Sequence, residues 1–158
     1  MVRFKNRWLL VEFIPISQAQ SSITTAVTSN LDGKLIWGAL RQSILTNFGD
    51  TGWGAVASSL TVKYYSPTTN TAIIRVSRDH HKIAWAGLAM ITTIDGTRYI
   101  PNVVHLSGTI KHAQLSAIQH NRVVVARYRA LAKTPSGYQD SYDTFLEKST
   151  LEIQALQD

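Results

Sequence analysis

The sequence predicts an α+β fold of ferredoxin-like type: a four-stranded antiparallel sheet in the split βαβ arrangement, helices packed on one face, and an added C-terminal helix. Three observations lead there. The apolar period switches between two and about 3.6 along the chain, in the order strand, helix, strand, strand, helix, strand, helix. The 158 residues, 44% hydrophobic, suit one core that buries roughly 70% of the surface of the unfolded chain. There is no internal repeat, and the one convincing linker, Thr134-Pro135-Ser136-Gly137, divides a domain of residues 1–133 from an acidic tail of residues 134–158.

Trp8 to Ile14 is a dense apolar, β-prone run broken only by Glu12, and predicts a buried first strand. Arg3, Lys5 and Arg7 precede it at every second residue, so an extended arm carries all three on one side. Ser17 to Asn30, rich in Ser, Thr and Gln, predicts a loop. Asp32 is a helix cap, and Leu35, Leu40, Ile44 and Phe48 form a helical stripe that stops at Gly49. After a glycine-rich turn over Gly49 to Gly54, Leu60 to Tyr65 alternates as a strand, Pro67 to Asn70 turns the chain, and Thr71 to Arg78 returns. Asp79 opens a second helix, with Ile83, Ala86, Gly87, Met90 and Ile91 at helical spacing, stopped by Asp95-Gly96. A strand over Val103 to Leu106 follows Pro101, which suits a strand entrance. Ser107-Gly108-Thr109 then starts a third helix from Ile110 to about Leu131. With helices on one side, the opposite sheet face is expected to be free. In the tail, Tyr142, Phe145, Leu146, Ile153 and Leu156 either form an amphipathic helix that docks or stay disordered.

Charge is distributed unevenly along this chain. Residues 1–133 hold 15 Lys and Arg against five acids, whereas residues 134–158 hold one Lys and five acids. No Asp or Glu lies between Asp95 and Asp140, a stretch with six Lys and Arg. A basic body raises the local concentration of phosphates, so the balance points to RNA or DNA. The chain has no cysteine, which excludes disulfides, thiolate nucleophiles and Cys-ligated zinc. The apolar runs are far too short to span a bilayer, Met1 to Lys5 lacks a secretory signature, and no Asn-x-Ser/Thr acceptor occurs. An intracellular, soluble protein with no membrane partner is expected.

The candidate sites divide by their chemistry. Asp79-His80-His81 contains metal-ligating types, but adjacent helical residues diverge by about 100°, which favours capping and surface roles. The Gly49, Gly52, Gly54 spacing follows a helix instead of a strand and favours a structural turn over a phosphate loop. Ser107, Thr109, Lys111 and His112 lie close together without a nucleophile motif, and five acids over 133 residues make a two-metal nuclease hard to assemble. No catalytic or metal residue is assigned. In the third helix, Lys111, Arg122 and Arg129 fall within about 20° of one azimuth, a basic stripe roughly 27 Å long. Lys63, Tyr65 and Arg75 are expected to share one sheet face, offering charge and one aromatic platform.

Several segments in order resemble one family: Arg7-Trp8-Leu9-Leu10-Val11-Glu12-Phe13, Phe48-Gly49-Asp50-Thr51-Gly52, Leu60-Thr61-Val62-Lys63-Tyr64-Tyr65, Ala72-Ile73-Ile74-Arg75-Val76, and Leu106-Ser107-Gly108-Thr109-Ile110-Lys111. Over about residues 1–131 the chain resembles the Pop-five subunit of ribonuclease P and RNase MRP. The resemblance implies an RRM-like α/β sandwich and a noncatalytic RNA-binding protein of a ribonucleoprotein endonuclease. In that family the RNA performs the Mg²⁺-dependent removal of 5′ leaders from precursor tRNA, and the MRP particle processes precursor rRNA. The implied partners are the catalytic noncoding RNA, precursor tRNA near it, a TIM-barrel-like subunit and a small sister subunit of related fold. The implied location is the nucleus, in the nucleolus. No cofactor is expected on this chain; Mg²⁺ is expected at the partner RNA. The RNA-facing positions carried over are Lys63 to Tyr65, Arg75 and the junction Ser107 to Lys111 with Thr109; Arg3, Lys5, Arg7, Arg122 and Arg129 join them from charge and spacing. Two rival readings stand beside this one: a protein-interaction scaffold whose sheet face binds another subunit, and a small self-sufficient nuclease.

Overall fold

A computed structural model describes residues 5–16, 31–132 and 142–158. Arg3, the loop expected over Ser17 to Asn30, and the linker Thr134 to Gly137 lie outside the described residues. The described elements run β1 (Asn6–Pro15), α1 (Gly33–Val56), β2 (Thr61–Ser66), β3 (Thr71–Ser77), a 3₁₀ turn (Arg78–His80), α2 (His81–Ala89), β4 (Thr93–Ile94), β5 (Thr97–Ser107), α3 (Ile110–Ala132) and α4 (Tyr142–Gln154).

The sheet has five strands in the order β2-β3-β1-β5-β4, not four, and every pairing is antiparallel. β1 therefore runs parallel to β2 with β3 between them, and β3 runs parallel to β5 with β1 between. α1 and α2 make those two crossovers and lie on one face, where Ile36, Leu40, Ile44, Ala84 and Leu88 meet Leu9, Val11, Phe13, Ile74 and Val76. The extra strand comes from Asp95-Gly96, whose φ values of 49° and 77° make a two-residue hairpin turn between β4 and β5. What the sequence suggested as a helix stop is a hairpin.

The opposite sheet face is not free. α3 and α4 cover it, and Trp8, Leu10 and Ile73 pack there against Ala113, Ala117 and Ile153. A buried polar chain fixes this second layer: Thr69 Oγ1 donates to Asn121 Oδ1 (3.0 Å), Asn121 Nδ2 donates to Ser149 Oγ (2.9 Å), and Ser149 Oγ lies 2.7 Å from Tyr64 Oη. The turn after β2, α3 and α4 are thereby tied through one network. Of the two fates open to the tail, docking is the one found.

Local chemistry explains the remaining boundaries. Asp32 Oδ1 accepts from the Leu35 amide at 2.8 Å, which caps α1. Gly49, at φ 68°, kinks α1 where a stop was expected, but the chain resumes helical geometry through Gly52 and Gly54 to Val56. Phe48 falls outside the buried stripe, 38% exposed. Gly87 lets α2 cross closely over α1: a Cβ there would lie 2.6 Å from Ile44 Cγ1, and Ser43 Oγ donates to the Gly87 carbonyl at 2.6 Å. Pro101 sits inside β5, not at its entrance. The opposing Phe13 directs its amide away from β5, to the Asn70 carbonyl at 2.8 Å, so Pro101 occupies a pair that needs no amide from it.

Candidate nucleic-acid interface

Because β1 is antiparallel to β3 and β5, its first residues lie beside the last residues of both, and the start of α3 follows directly. Asn6 pairs with Ser77, Arg7 with Val76, and Trp8 with both Arg75 and Ser107. Lys5, Arg7, Arg75 and Arg78 consequently meet at one end of the sheet. They line two adjoining open depressions of about 730 and 360 Å³. Asn6, Ser77, His80, Gly108 and Thr109 complete the walls, and Asp79 and Asp158 are the acids there.

Each side chain has a definite setting. Lys5 is exposed, and its carbonyl accepts from the Arg78 amide (2.8 Å), extending the β1–β3 pairing. Arg7 Nη1 donates to the Asn6 carbonyl (3.1 Å) and rests against Gly108, where a Cβ would lie 3.4 Å from it. Thr109 Oγ1 accepts from the His112 amide (3.4 Å) as the cap of α3, whose positive end faces the same region. Ser107 is buried, and its hydroxyl donates to the Thr109 carbonyl (2.7 Å); it shapes the turn. Asp79 accepts from Arg78 Nε at 3.0 Å and stands exposed in the first turn of the 3₁₀ segment, a surface position at the helix start as expected, without a side-chain capping bond. His81 Nδ1 donates to the Arg78 carbonyl at 2.6 Å.

The expected sheet platform divides between faces. A bulge between Val62 and Tyr64 turns Val62 and Tyr65 toward the α1 and α2 layer, and Tyr64 toward α3 and α4. Tyr65 donates to Asn70 Oδ1 (3.0 Å), and burial, followed by the influence of Tyr99 and Asp32, pushes its phenol up to about 12. It is not an aromatic platform beside Arg75. Lys63 and Arg75 instead meet the end of the acidic segment: Lys63 Nζ donates to the Gln157 carbonyl (3.5 Å), and Arg75 Nη1 lies 3.9 Å from Asp158 Oδ1.

The α3 stripe is partly engaged by α4, which runs antiparallel to it. Lys111 is exposed in the first turn of α3, while Arg122 borders a groove with Asp143 and Glu147. Arg129 Nη2 donates to Asp143 Oδ1 at 2.7 Å. On the other flank of α3, Arg127 Nη1 and His120 Nε2 lie 3.9 and 3.7 Å from the mostly buried carboxylate of Glu12. Burial lowers His120 from its ordinary 6.5, Glu12 opposes that shift and Arg127 adds to it. Asn6, Arg78 and Asp158 were missed as members of the cationic end, because only the β1–β3 register and the path of the tail bring them there.

The model of the Rpp14/Pop5 family matches residues 7–118. A Schizosaccharomyces pombe protein named ribonuclease P/MRP protein subunit POP5 is 46% identical over 132 residues, which covers 77% of this chain and 89% of that protein. The human protein of the same name is 30% identical over 126 residues, covering 77% and 73%. A chain from the cryo-EM structure of yeast ribonuclease MRP shares the fold, with a TM-score of 0.51 at 12% identity over 98% of this chain and 95% of that one. The matched residues run from Arg7 in β1 into the first part of α3, most of the frame that assembles the cationic end, and by this match and the 46% identity the chain belongs to the Rpp14/Pop5 family.

Proposed function

We propose that the chain is a noncatalytic RNA-binding subunit of the ribonuclease P particle and of RNase MRP, supporting RNA-catalysed 5′ maturation of precursor tRNA and processing of precursor rRNA. The observation that carries this reading is the convergence of Lys5, Arg7, Arg75 and Arg78 beside the start of α3, in a chain whose relatives are named as subunits of those particles. Guanidinium groups match phosphate oxygens in pairs, and their attraction to RNA grows with each counterion released. The chain's role is to lower phosphate repulsion and hold the RNA in its active fold. Mg²⁺ chemistry belongs to the RNA in this reading, and the nucleolus is the proposed site of action. The few carboxylates of residues 1–133 also favour a supporting role over a self-sufficient nuclease.

Protein partners are proposed at a different surface. Ile14 and Ile100 pair across β1 and β5 and are 41% and 52% exposed, and Val104 is 39% exposed. Exposed apolar side chains in register favour a protein contact there, such as with a TIM-barrel-like subunit or a sister subunit of related fold. The scaffold reading in its original form needed a bare sheet face, and α3 and α4 cover that face.

Electrophoretic binding of the purified chain to transcribed ribonuclease P or MRP RNA, over a series of salt concentrations, tests the RNA reading. Replacing Arg7, Arg75 and Arg78 with Ala should weaken binding and flatten the log–log salt slope by about two, at 0.7 to 0.9 per phosphate contact. Replacing Lys111, Arg122 and Arg129 should flatten it less, since Arg129 already pairs with Asp143. An unchanged slope in the first variant would contradict the proposal.

A further inference from the structure

Asp158 comes from the acidic part of the chain yet lies between the two cationic depressions and borders both. Its Oδ1 accepts from Asn6 Nδ2 at 3.1 Å and lies 3.9 Å from Arg75 Nη1. The neighbouring Gln157 carbonyl accepts from Lys63 Nζ. Two residues that line the larger depression, Arg75 and Ser77, also hold buried polar atoms, Nε and Oγ, without a hydrogen-bond partner among the described residues. The region therefore holds one anion loosely and keeps donor capacity that this anion does not use.

We infer that the pocket formed by Asn6, Arg75, Ser77 and the flanking Lys5, Arg7 and Arg78 is a seat for an RNA phosphodiester, and that the Asp158 carboxylate occupies the phosphate's place until RNA displaces it. The inference rests on the RNA-binding reading above. A carboxylate and a phosphodiester are both anions that accept from a guanidinium, and a phosphate offers more acceptor geometry to Arg75. The hold on Asp158 is weak: its side chain is 45% exposed, Arg75 is 25% exposed, and contacts between partly exposed charges contribute little.

Displacement requires only a short movement. Ile153 and Ser149 anchor α4 in the second core, and Gln114 Nε2 donates to the carbonyls of Ile153 (2.9 Å) and Leu156 (3.0 Å). Gln157 and Asp158 lie beyond that clamp, so they can swing away while α4 stays docked. The acidic end then acts as a graded competitor. It raises the charge density that an RNA must present before it binds, and so favours folded RNA with clustered phosphates over sparse polyanions.

The test is fluorescence anisotropy of the full chain with a fluorescein-labelled oligouridylate at several salt concentrations. D158N should lower Kd by about two- to five-fold at low salt and steepen the salt slope by about 0.7, one added single-strand phosphate contact. R75Q should weaken binding, and R75Q combined with D158N should abolish the gain. If D158N leaves Kd and slope unchanged while R75Q still weakens binding, competition is overturned and the RNA site stands. If R75Q and an Ala replacement of Lys5, Arg7 and Arg78 also leave binding unchanged, both the competition and the RNA reading fall. Asp158 is a half-exposed surface residue, and unfolding midpoints of D158N equal to the parent's exclude a folding effect.

Discussion

His120 is set between opposing influences that give the protein a testable pH dependence. Its ring is mostly buried against Glu12, and Nε2 has no hydrogen-bond partner among the described residues, so the uncharged ring is favoured despite the nearby carboxylate. Because folding lowers the pKa below the unfolded value of 6.5, the unfolded chain binds more protons as pH falls through that value. Stability from this residue is complete above 6.5 and is lost as pH falls toward the folded pKa. Urea unfolding from pH 8 to pH 5 should therefore show a fall in stability that H120Q reduces; an equal fall in both proteins would contradict the assignment. Among single residues, the Asp32 cap was legible in the sequence because its side chain acts on an amide only three residues on, whereas Gly49, read as a helix stop, only kinks α1. Glu12 and His120 lie 108 positions apart, and only the packing of α3 on β1 brings them together.

Packing on the second sheet face is the most consequential difference at the level of elements. The order of the long strands and the crossover helices follows from the apolar periods, and the antiparallel hairpin at Pro67 to Asn70 is where it was expected. The free face was not justified by the same sequence: Trp8-Leu9-Leu10-Val11 and Ala72-Ile73-Ile74 are apolar without alternation, the mark of strands buried on both sides. Likewise Asp95-Gly96 is a strong hairpin pair, hidden because the strand before it has only two residues. The Asn121 network is the joint between α3, α4 and the β2–β3 turn. Asn121→Ala removes two buried partners and should cost about 2–4 kcal/mol. It should also speed amide exchange in α4 before it affects α1. A loss below about 0.5 kcal/mol, within the range of ordinary surface changes, would show that α4 is held by apolar contacts alone.

At the scale of the whole molecule, the fold separates two kinds of surface. The cationic end gathers residues from β1, β3, the 3₁₀ turn and the junction between β5 and α3, while exposed Ile14 and Ile100 lie far along β1 and β5. Local charge bias made Lys5, Arg7, Arg75 and Lys111 visible in the sequence. Periodicity carries no information about how the acidic segment folds back, so the pairing of Lys63 and Arg75 with that segment had no local trace. Under the proposed function, this division lets one small subunit meet RNA and protein partners at separate ends of the sheet.

Ultraviolet crosslinking of the chain within its reconstituted ribonucleoprotein particle, with crosslinked peptides mapped by mass spectrometry, tests the central claim most directly. RNA crosslinks should concentrate on residues 5–7, 75–78 and 108–111, and should fall when Arg7, Arg75 and Arg78 are replaced. Crosslinks confined to the Ile14 and Ile100 end, or protein crosslinks alone at the cationic end, would contradict the account.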